Sequence, residues 1–266
     1  MTDDSLQIKI PGKLFVAGEY AVLEPNQQAI VVAVDRYITA DVSPSQRNSI
    51  ALPQLGFDLI TWDKDKNNKI KFSKSDQRLR YIQQSIIVAS QFLREKSIEL
   101  HPIHIEISSN LYDSSGRKYG LGSSAAIVVA VITSILKVST RGMYQPKHKD
   151  IYKLSAIAHY RVQGNGSAAD IAASTYGGWL CYSVFDAAWL LEELKQNTNI
   201  AQIIDKPWPR LMIKPITPPS KLYFCVGWTG EVARTGPMVN KIQKLKKTDP
   251  NSYQQFLKSS NSAVTK

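Results

Sequence analysis

The stretch that most constrains this chain is KYGLGSSAAIVVAVITSIL, Lys118 to Leu136, in which two glycines and two serines lead straight into an apolar run. The apolar run reads as a helix with the small residues at its head. The first N–H groups of a helix have no internal partner and carry the positive end of its dipole, so glycines that let amides approach closely create an anion cradle. In GLGSSAA, Gly120 and Gly122 supply the turn. Ser123 or Ser124 caps the helix or reaches a phosphate or a metal ion, and Ala125 and Ala126 leave room. No Gly-Lys-Ser/Thr closes the segment, so it is not a Walker loop. A plain glycine turn with a serine N-cap has the same spelling, but Arg117 and Lys118 immediately before it favour an anion.

Two other segments have the same double reading. In KIPGKLFVAGEYAVL, Lys9 to Leu23, Pro-Gly-Lys joins two expected strands. Lys13 there is either a surface lysine at a hairpin or a cation projected into a cleft. In GNGSAADIAASTYGG, Gly164 to Gly178, small residues permit close approach, and Asp170 stands near the start of a short helix with Ser167 three residues earlier. An aspartate there can also do no more than complement the helix dipole. Packing alone accounts poorly for all three segments at once.

The remainder sets the frame. With 266 residues, 43% of them hydrophobic, the chain can bury a sizeable core, and two lobes are expected. The formal net charge of +11 draws anions. Long basic runs with interleaved aromatics are missing, and the densest cluster, KIQKLKK (Lys241 to Lys247), reads as one solvated helix face, which argues against a nucleic-acid partner. Cys181 and Cys225 lie in apolar, strand-like segments without metal-ligand spacing and read as buried thiols of a reduced compartment. No stretch approaches the roughly 18 apolar residues of a membrane span. A soluble, cytoplasmic protein with no membrane partner is expected.

Along the chain, LQIKI, LFVAGEYAVL, AIVVAV and YITADV read as four short strands broken at Pro11, Gly12, Pro25 and Asn26. KDKNNK (Lys64 to Lys69) reads as a loop. From Asp76, Leu79, Ile82, Ile86, Ala89 and Leu93 recur at helical spacing. IHIEIS alternates as a strand, KDIYKLSAIAHYRVQG is a helix stopped at Gly164, and GGWLCYSV is a strand. His159 lies off that helix's apolar stripe (Ile151, Leu154, Ile157, Ala158, Val162) and reads as a surface or helix-packing residue. Residues 197–220, rich in proline, look irregular and mark a lobe boundary. Beyond them KLYFCVGWTG is an expected strand, followed by two short helical segments.

PGKLFVAGEYAVL followed about a hundred residues later by GLGSSAA resembles the first and second motifs of the GHMP small-molecule kinases, the superfamily of galactokinase, homoserine kinase, mevalonate kinase and phosphomevalonate kinase. Within it, KLFVAGEYAVLEP, GSAADIAASTYGGWL and VGWTGEVARTGPMV look most like the bacterial-type phosphomevalonate kinases. The resemblance implies a two-lobed α/β (α+β) fold with a sheet-rich N-terminal lobe, here the ATP-binding domain over 1–200, and a ferredoxin-like C-terminal lobe, here partial over 201–266. It implies ATP and Mg²⁺, and phosphomevalonate as the acceptor. Lys118, Gly120, Leu121, Gly122, Ser123, Ser124, Ala125 and Ala126 would hold the ATP phosphates, with Ser123 or Ser124 touching Mg²⁺. Lys13 and Asp170 would flank the transferred group, with Tyr20 and Ser167 on the substrate side. Trp62 and Phe72 are candidates to stack on adenine.

The family's third glycine-rich motif, typically like Ser-Gly-Ala-Gly-Gly-Gly-Asp, has no counterpart after Gly236. The expectation is therefore a C-terminally truncated chain, or else a degenerate C-terminal lobe. Truncation would leave the nucleotide site open on one side and the chain inactive. Two alternatives to phosphomevalonate phosphorylation stay open. One is a mevalonate or other small-alcohol kinase, although the family's mevalonate kinases usually have Gly-Glu-His where this chain has Gly18-Glu19-Tyr20. The other is a nucleotide-binding relative without catalysis.

Overall fold

The computed structural model describes residues 5–140, 144–196, 199–221, 223–231 and 235–265. Two long antiparallel strands organise it, β1 (Leu6–Ala17) and β2 (Ala29–Pro44), where four short ones were expected. Pro11-Gly12 does not break β1. It is absorbed as a register shift between Pro11 and Lys13, on a strand that among the described residues pairs only with β2 and so tolerates a residue without an N–H. The chain continues through β3 (Ser49–Leu52), β4 (Phe57–Lys64), β5 (Ile70–Phe72), α1 (Arg80–Glu95), β6 (Ile103–Ser109), α2 (Ser123–Ser139), α3 (His148–Gln163), α4 (Ala169–Tyr176), β7 (Trp179–Ser183), α5 (Ala187–Lys195), α6 (Ile200–Asp205), β8 (Met212–Ile216), α7 (Thr235–Thr248) and α8 (Pro250–Thr265). The sheet runs β5-β4-β3-β6-β2-β7-β8 with β1 beside β2. It is mixed, because β3 and β6 pair in parallel and the other pairs are antiparallel.

Helices cover the sheet as their patterns require. Asp76 accepts from the Arg78 N–H at 2.8 Å and caps the turn that opens α1, whose Ile82, Ile86, Ala89 and Leu93 are buried. Gly164, with φ 80°, ends α3 and donates to the Tyr160 carbonyl at 2.7 Å. The apolar α2 is buried nearly all round, between β1 and β2 on one side and α1, α3 and α4 on others. Its Val128, Ile132, Ile135 and Leu136, each worth about 1.5–3 kcal/mol on burial, anchor the axis whose N-terminus forms the site.

Several expectations fail for one physical reason, that pairing and packing override local spelling. The proline-rich stretch 197–220 includes α6, capped by Asn199, and β8, which extends the main sheet beside β7, while Trp208 is buried in the core. KLYFCVGWTG forms no strand among its described residues, which pair with none of the described strands although the Phe224 ring meets Trp179 of β7. Tyr223 is 90% exposed, and Phe224, Val226 and Trp228 are also exposed. Cys225 is exposed rather than buried, and Cys181 is only half-buried, with Gln28 Oε1 3.4 Å from its sulfur. Of a ferredoxin-like lobe, the described residues after Ile216 supply α7 and α8 and no strand. These helices dock on the turn between β1 and β2, where Tyr253 and Leu257 bury Ala21 and Lys246 pairs with Glu24 at 2.8 Å. Among the described residues no helix is long and apolar enough to cross a membrane.

Candidate active site

The Pro-Gly-Lys and Gly-Leu-Gly segments interlock. The Lys13 N–H donates to the Leu121 carbonyl at 2.8 Å, and Gly12 lies so close to that carbonyl that a Cβ there would be 2.8 Å from its oxygen. Gly122, the N-cap of α2 at φ 78°, abuts the stem of Lys13, and its Cβ would lie 3.0 Å from Lys13 Cγ. Only glycine combines this left-handed backbone with this approach. Among the described residues no side chain caps α2, which leaves its first-turn amides available to an anion. The Lys13 ammonium is held nearby, 5.1 Å from the centre of the Phe15 ring. A fixed cation therefore stands beside a helix N-terminus.

This corner opens on a cleft of about 860 Å³ whose walls include Lys13, Tyr20, His159, Ser167, Asp170 and Arg210. Tyr20 (φ 64°), Ala168 (φ 55°) and Arg210 (φ 66°) all line it with left-handed backbones, which costs non-glycine residues about 1–2 kcal/mol each. Such strain is characteristic of ligand sites. Asp170, in the first turn of α4, accepts from the Ile171 N–H at 2.9 Å. Lys13 and Asp170 share the cleft but form no ion pair with each other among the described residues. Burial, and then the Asp170 charge, raise the pKa of Tyr81. Burial pulls His159 below its ordinary pKa, with Asp170 opposing, so its ring is neutral at physiological pH. Burial and the neighbouring Glu19 carboxylate raise Tyr20, which remains a protonated donor. Ser167 is fixed through its backbone, since its carbonyl accepts from the Tyr182 hydroxyl.

The structure gathers most of the residues singled out in the sequence. Leu121 to Ala126, Lys13, Tyr20, Ser167 and Asp170 surround one corner and its cleft. Lys118, exposed, lies in the approach to α2, bridged to Tyr112, and Gly120 turns the chain at φ 83°. Arg117, in contrast, is already committed. Its Nε donates to Asp113 at 3.0 Å and its guanidinium lies 5.2 Å from the Trp228 ring centre. Hydrogen bonds from Ser115 and Arg117 outweigh desolvation and hold the Asp113 carboxyl at about 2. Trp62 is in the core at 3% exposure, paired with Phe72 across β4 and β5, and is unavailable to stack on adenine. His159 and Arg210 were missed. His159 is 5% exposed and stacks on Tyr81 of α1, so of its two readings helix packing holds and the surface position does not; α3 buries every residue from Asp150 to His159, so a single stripe could not show that it also lines the cleft. Arg210, with Nη1 3.4 Å from Asp186, has no sequence signal beyond a proline neighbour.

Residues 80–178 match the family model described as the GHMP kinases N terminal domain. The phosphomevalonate kinase of Streptomyces sp. (strain CL190) is 31% identical over 96% of this chain and 69% of its own length. The Listeria innocua protein Lin0012 superposes with a TM-score of 0.90 at 38% identity, over 98% of this chain and 71% of that one. The Streptococcus pneumoniae phosphomevalonate kinase, solved with phosphomevalonate and AMPPNP, does so with a TM-score of 0.79 at 27% identity, over 98% and 72%. The chain belongs to the GHMP kinases. Within that family the two phosphomevalonate kinases are 31% and 27% identical over 96% and 98% of this chain, and mevalonate kinases match over 96% of it at 22% and 25%.

Proposed function

We propose that the protein transfers the γ-phosphoryl group of ATP to the phosphate of phosphomevalonate, giving diphosphomevalonate in the mevalonate route to isoprenoids. The observation that carries this reading is Lys13, its backbone fixed by the Leu121 carbonyl and its stem abutting Gly122 at the uncapped N-terminus of α2, on the wall of the cleft that Asp170 also lines. The complex of the Streptococcus relative with phosphomevalonate and AMPPNP supports both substrates.

In this reading Lys118 and Gly120 to Ala126 hold the ATP phosphates. The donors fit Mg²⁺, which prefers one or two protein oxygens together with phosphate oxygens. The hydroxyls of Ser123 and Ser124 are such oxygens, and among the described residues no cluster of three His, Cys, Asp or Glu could hold a metal by itself. When bound, the ion neutralises charge on the phosphates. The acceptor phosphate has its second pKa near 6 and is already an ionised nucleophile at neutral pH. The demand on the protein is therefore positioning and cancelling charge rather than removing a proton. Lys13 offsets the repulsion between the approaching phosphates, Asp170 orients, and Tyr20 and Ser167 contact the acceptor. We place the division between the ATP-binding part and the partial C-terminal part after β8 rather than at 200, because β8 pairs with β7.

A coupled ADP-release assay against phosphomevalonate, mevalonate, homoserine and galactose tests the reading. Turnover is expected with phosphomevalonate. Its absence in protein that binds AMPPNP sinks the proposal, and faster turnover of mevalonate transfers it to the alcohol kinases.

A further inference from the structure

His159 belongs to none of the motifs that mark the site, yet α3 places it against the first turn of α2. Its ring is 5% exposed and stacks on Tyr81, with 4.9 Å between centroids and 29° between planes. Its Nε2 lies 3.5 Å from Ser124 Oγ, and the residue also lines the cleft of Lys13 and Asp170. The two adjacent serines of the loop therefore differ: Ser124 has a nitrogen partner, and the Ser123 hydroxyl has none among the described residues. A hydroxyl carries one hydrogen and two lone pairs, and a neutral imidazole offers one accepting nitrogen. If that nitrogen takes the hydrogen, lone pairs remain to face the cleft, which suits a cation and not a phosphate oxygen. A free serine beside it keeps its hydrogen for the phosphate. The stacked Tyr81 fixes the ring plane and with it the direction of the bond.

We propose that His159 is a positioning residue which accepts the Ser124 hydroxyl hydrogen and turns the Ser124 lone pairs toward the Mg²⁺ of the bound nucleotide, leaving Ser123 to donate to a phosphate oxygen. This rests on the ATP part of the proposed function and is independent of the acceptor. Partners that orient a ligand in this way typically change metal affinity by about 10- to 100-fold when removed.

Calorimetric binding of AMPPNP, with Mg²⁺ and with a chelator in its place, tests the assignment without turnover. His159→Phe and Ser124→Ala should each leave Mg²⁺-free affinity within about twofold and weaken the Mg²⁺-dependent gain by about 10- to 100-fold. The double variant should be no worse than either single one, because both remove the same ligand. Ser123→Ala should weaken binding with and without the ion. His159→Gln, whose amide oxygen can take the hydrogen, should recover most of the gain. An unchanged Mg²⁺ dependence in His159→Phe overturns the proposal, as does an equal loss in both conditions. If His159→Phe does not fold, Ser124→Ala with wild-type Mg²⁺ dependence overturns it equally. Wild-type protein that binds no AMPPNP at all removes the ATP reading beneath it, an outcome distinct from these.

Discussion

Replacing Gly12 by alanine should damage stability and transfer together, because one contact holds both. The new Cβ would lie 2.8 Å from the Leu121 carbonyl oxygen, 2.9 Å from Leu111 Cδ2 and 3.1 Å from Leu121 Cβ, where ordinary contact begins near 3.4 Å. The nearest atom is backbone, so β1 and the loop before α2 must part by about 0.6 Å, the difference between 3.4 and 2.8 Å. That stretches the 2.8 Å bond from the Lys13 N–H to the Leu121 carbonyl out of its good range. Overpacking costs about 1–3 kcal/mol and the weakened bond about 0.5–1.5 kcal/mol. A loss of roughly 2–4 kcal/mol follows, a large share of the 5–15 kcal/mol typical of a domain. Lys13 moves with the strand, and a misplacement approaching 1 Å can cost about 100-fold in rate. Urea denaturation should give a lower midpoint at unchanged slope, and single-turnover transfer should slow well beyond the unfolded fraction. A variant with the wild-type midpoint and rate would show that the two motifs do not depend on this approach.

Three further outcomes follow from other parts of the structure. Lys13→Met should raise the barrier by about 2.7–4 kcal/mol, as for loss of one preorganised donor, and Asp170→Asn should be hurt less; single-turnover rates from pH 6 to 9 decide, and a far larger loss for Asp170→Asn would point to a general base and an alcohol acceptor. Lys153 is buried, with Nζ donating to the carbonyls of Ile204 and Lys206 at 2.8 and 2.6 Å, so Lys153→Met should destabilise by about 1–3 kcal/mol in urea, through carbonyls left unpaired. Partial burial would raise the Glu24 carboxyl, but the Lys246 ammonium, helped by the Tyr253 hydroxyl, outweighs it and holds the pKa below its usual value. The resulting stabilisation is complete above about pH 4.3 and is lost as the pH falls through the folded value. Hydrogen exchange should therefore show α7 and α8 loosening in acid earlier than the sheet, and Lys246→Met should weaken that pH dependence; identical profiles for variant and wild type would refute it.

The site was legible in the sequence where a motif spells its own backbone. Gly120, Gly122 and the serines announce a helix N-terminus, and the apolar run to Leu136 announces where it is buried. What could not be read was tertiary. Nothing local says that Gly12 and Leu121 touch, or that the cleft brings His159 to Ser124 across α2 and α3. Strand boundaries failed similarly. Pro11-Gly12 spells a break but sits at a bulge on a strand with one partner, and Pro215 sits within β8 opposite Leu180. KLYFCVGWTG spells a strand as well as any segment here, yet among the described residues its backbone joins no ladder.

The central claim is that a phosphate, not an alcohol, receives the phosphoryl group. Phosphorus-31 NMR of the protein with ATP, Mg²⁺ and phosphomevalonate reads this directly. The acceptor's single phosphomonoester resonance should give way to the coupled pair of a diphosphate as ADP appears, with no new signal when mevalonate replaces phosphomevalonate. A new phosphomonoester resonance from mevalonate, with phosphomevalonate left unchanged, would contradict it.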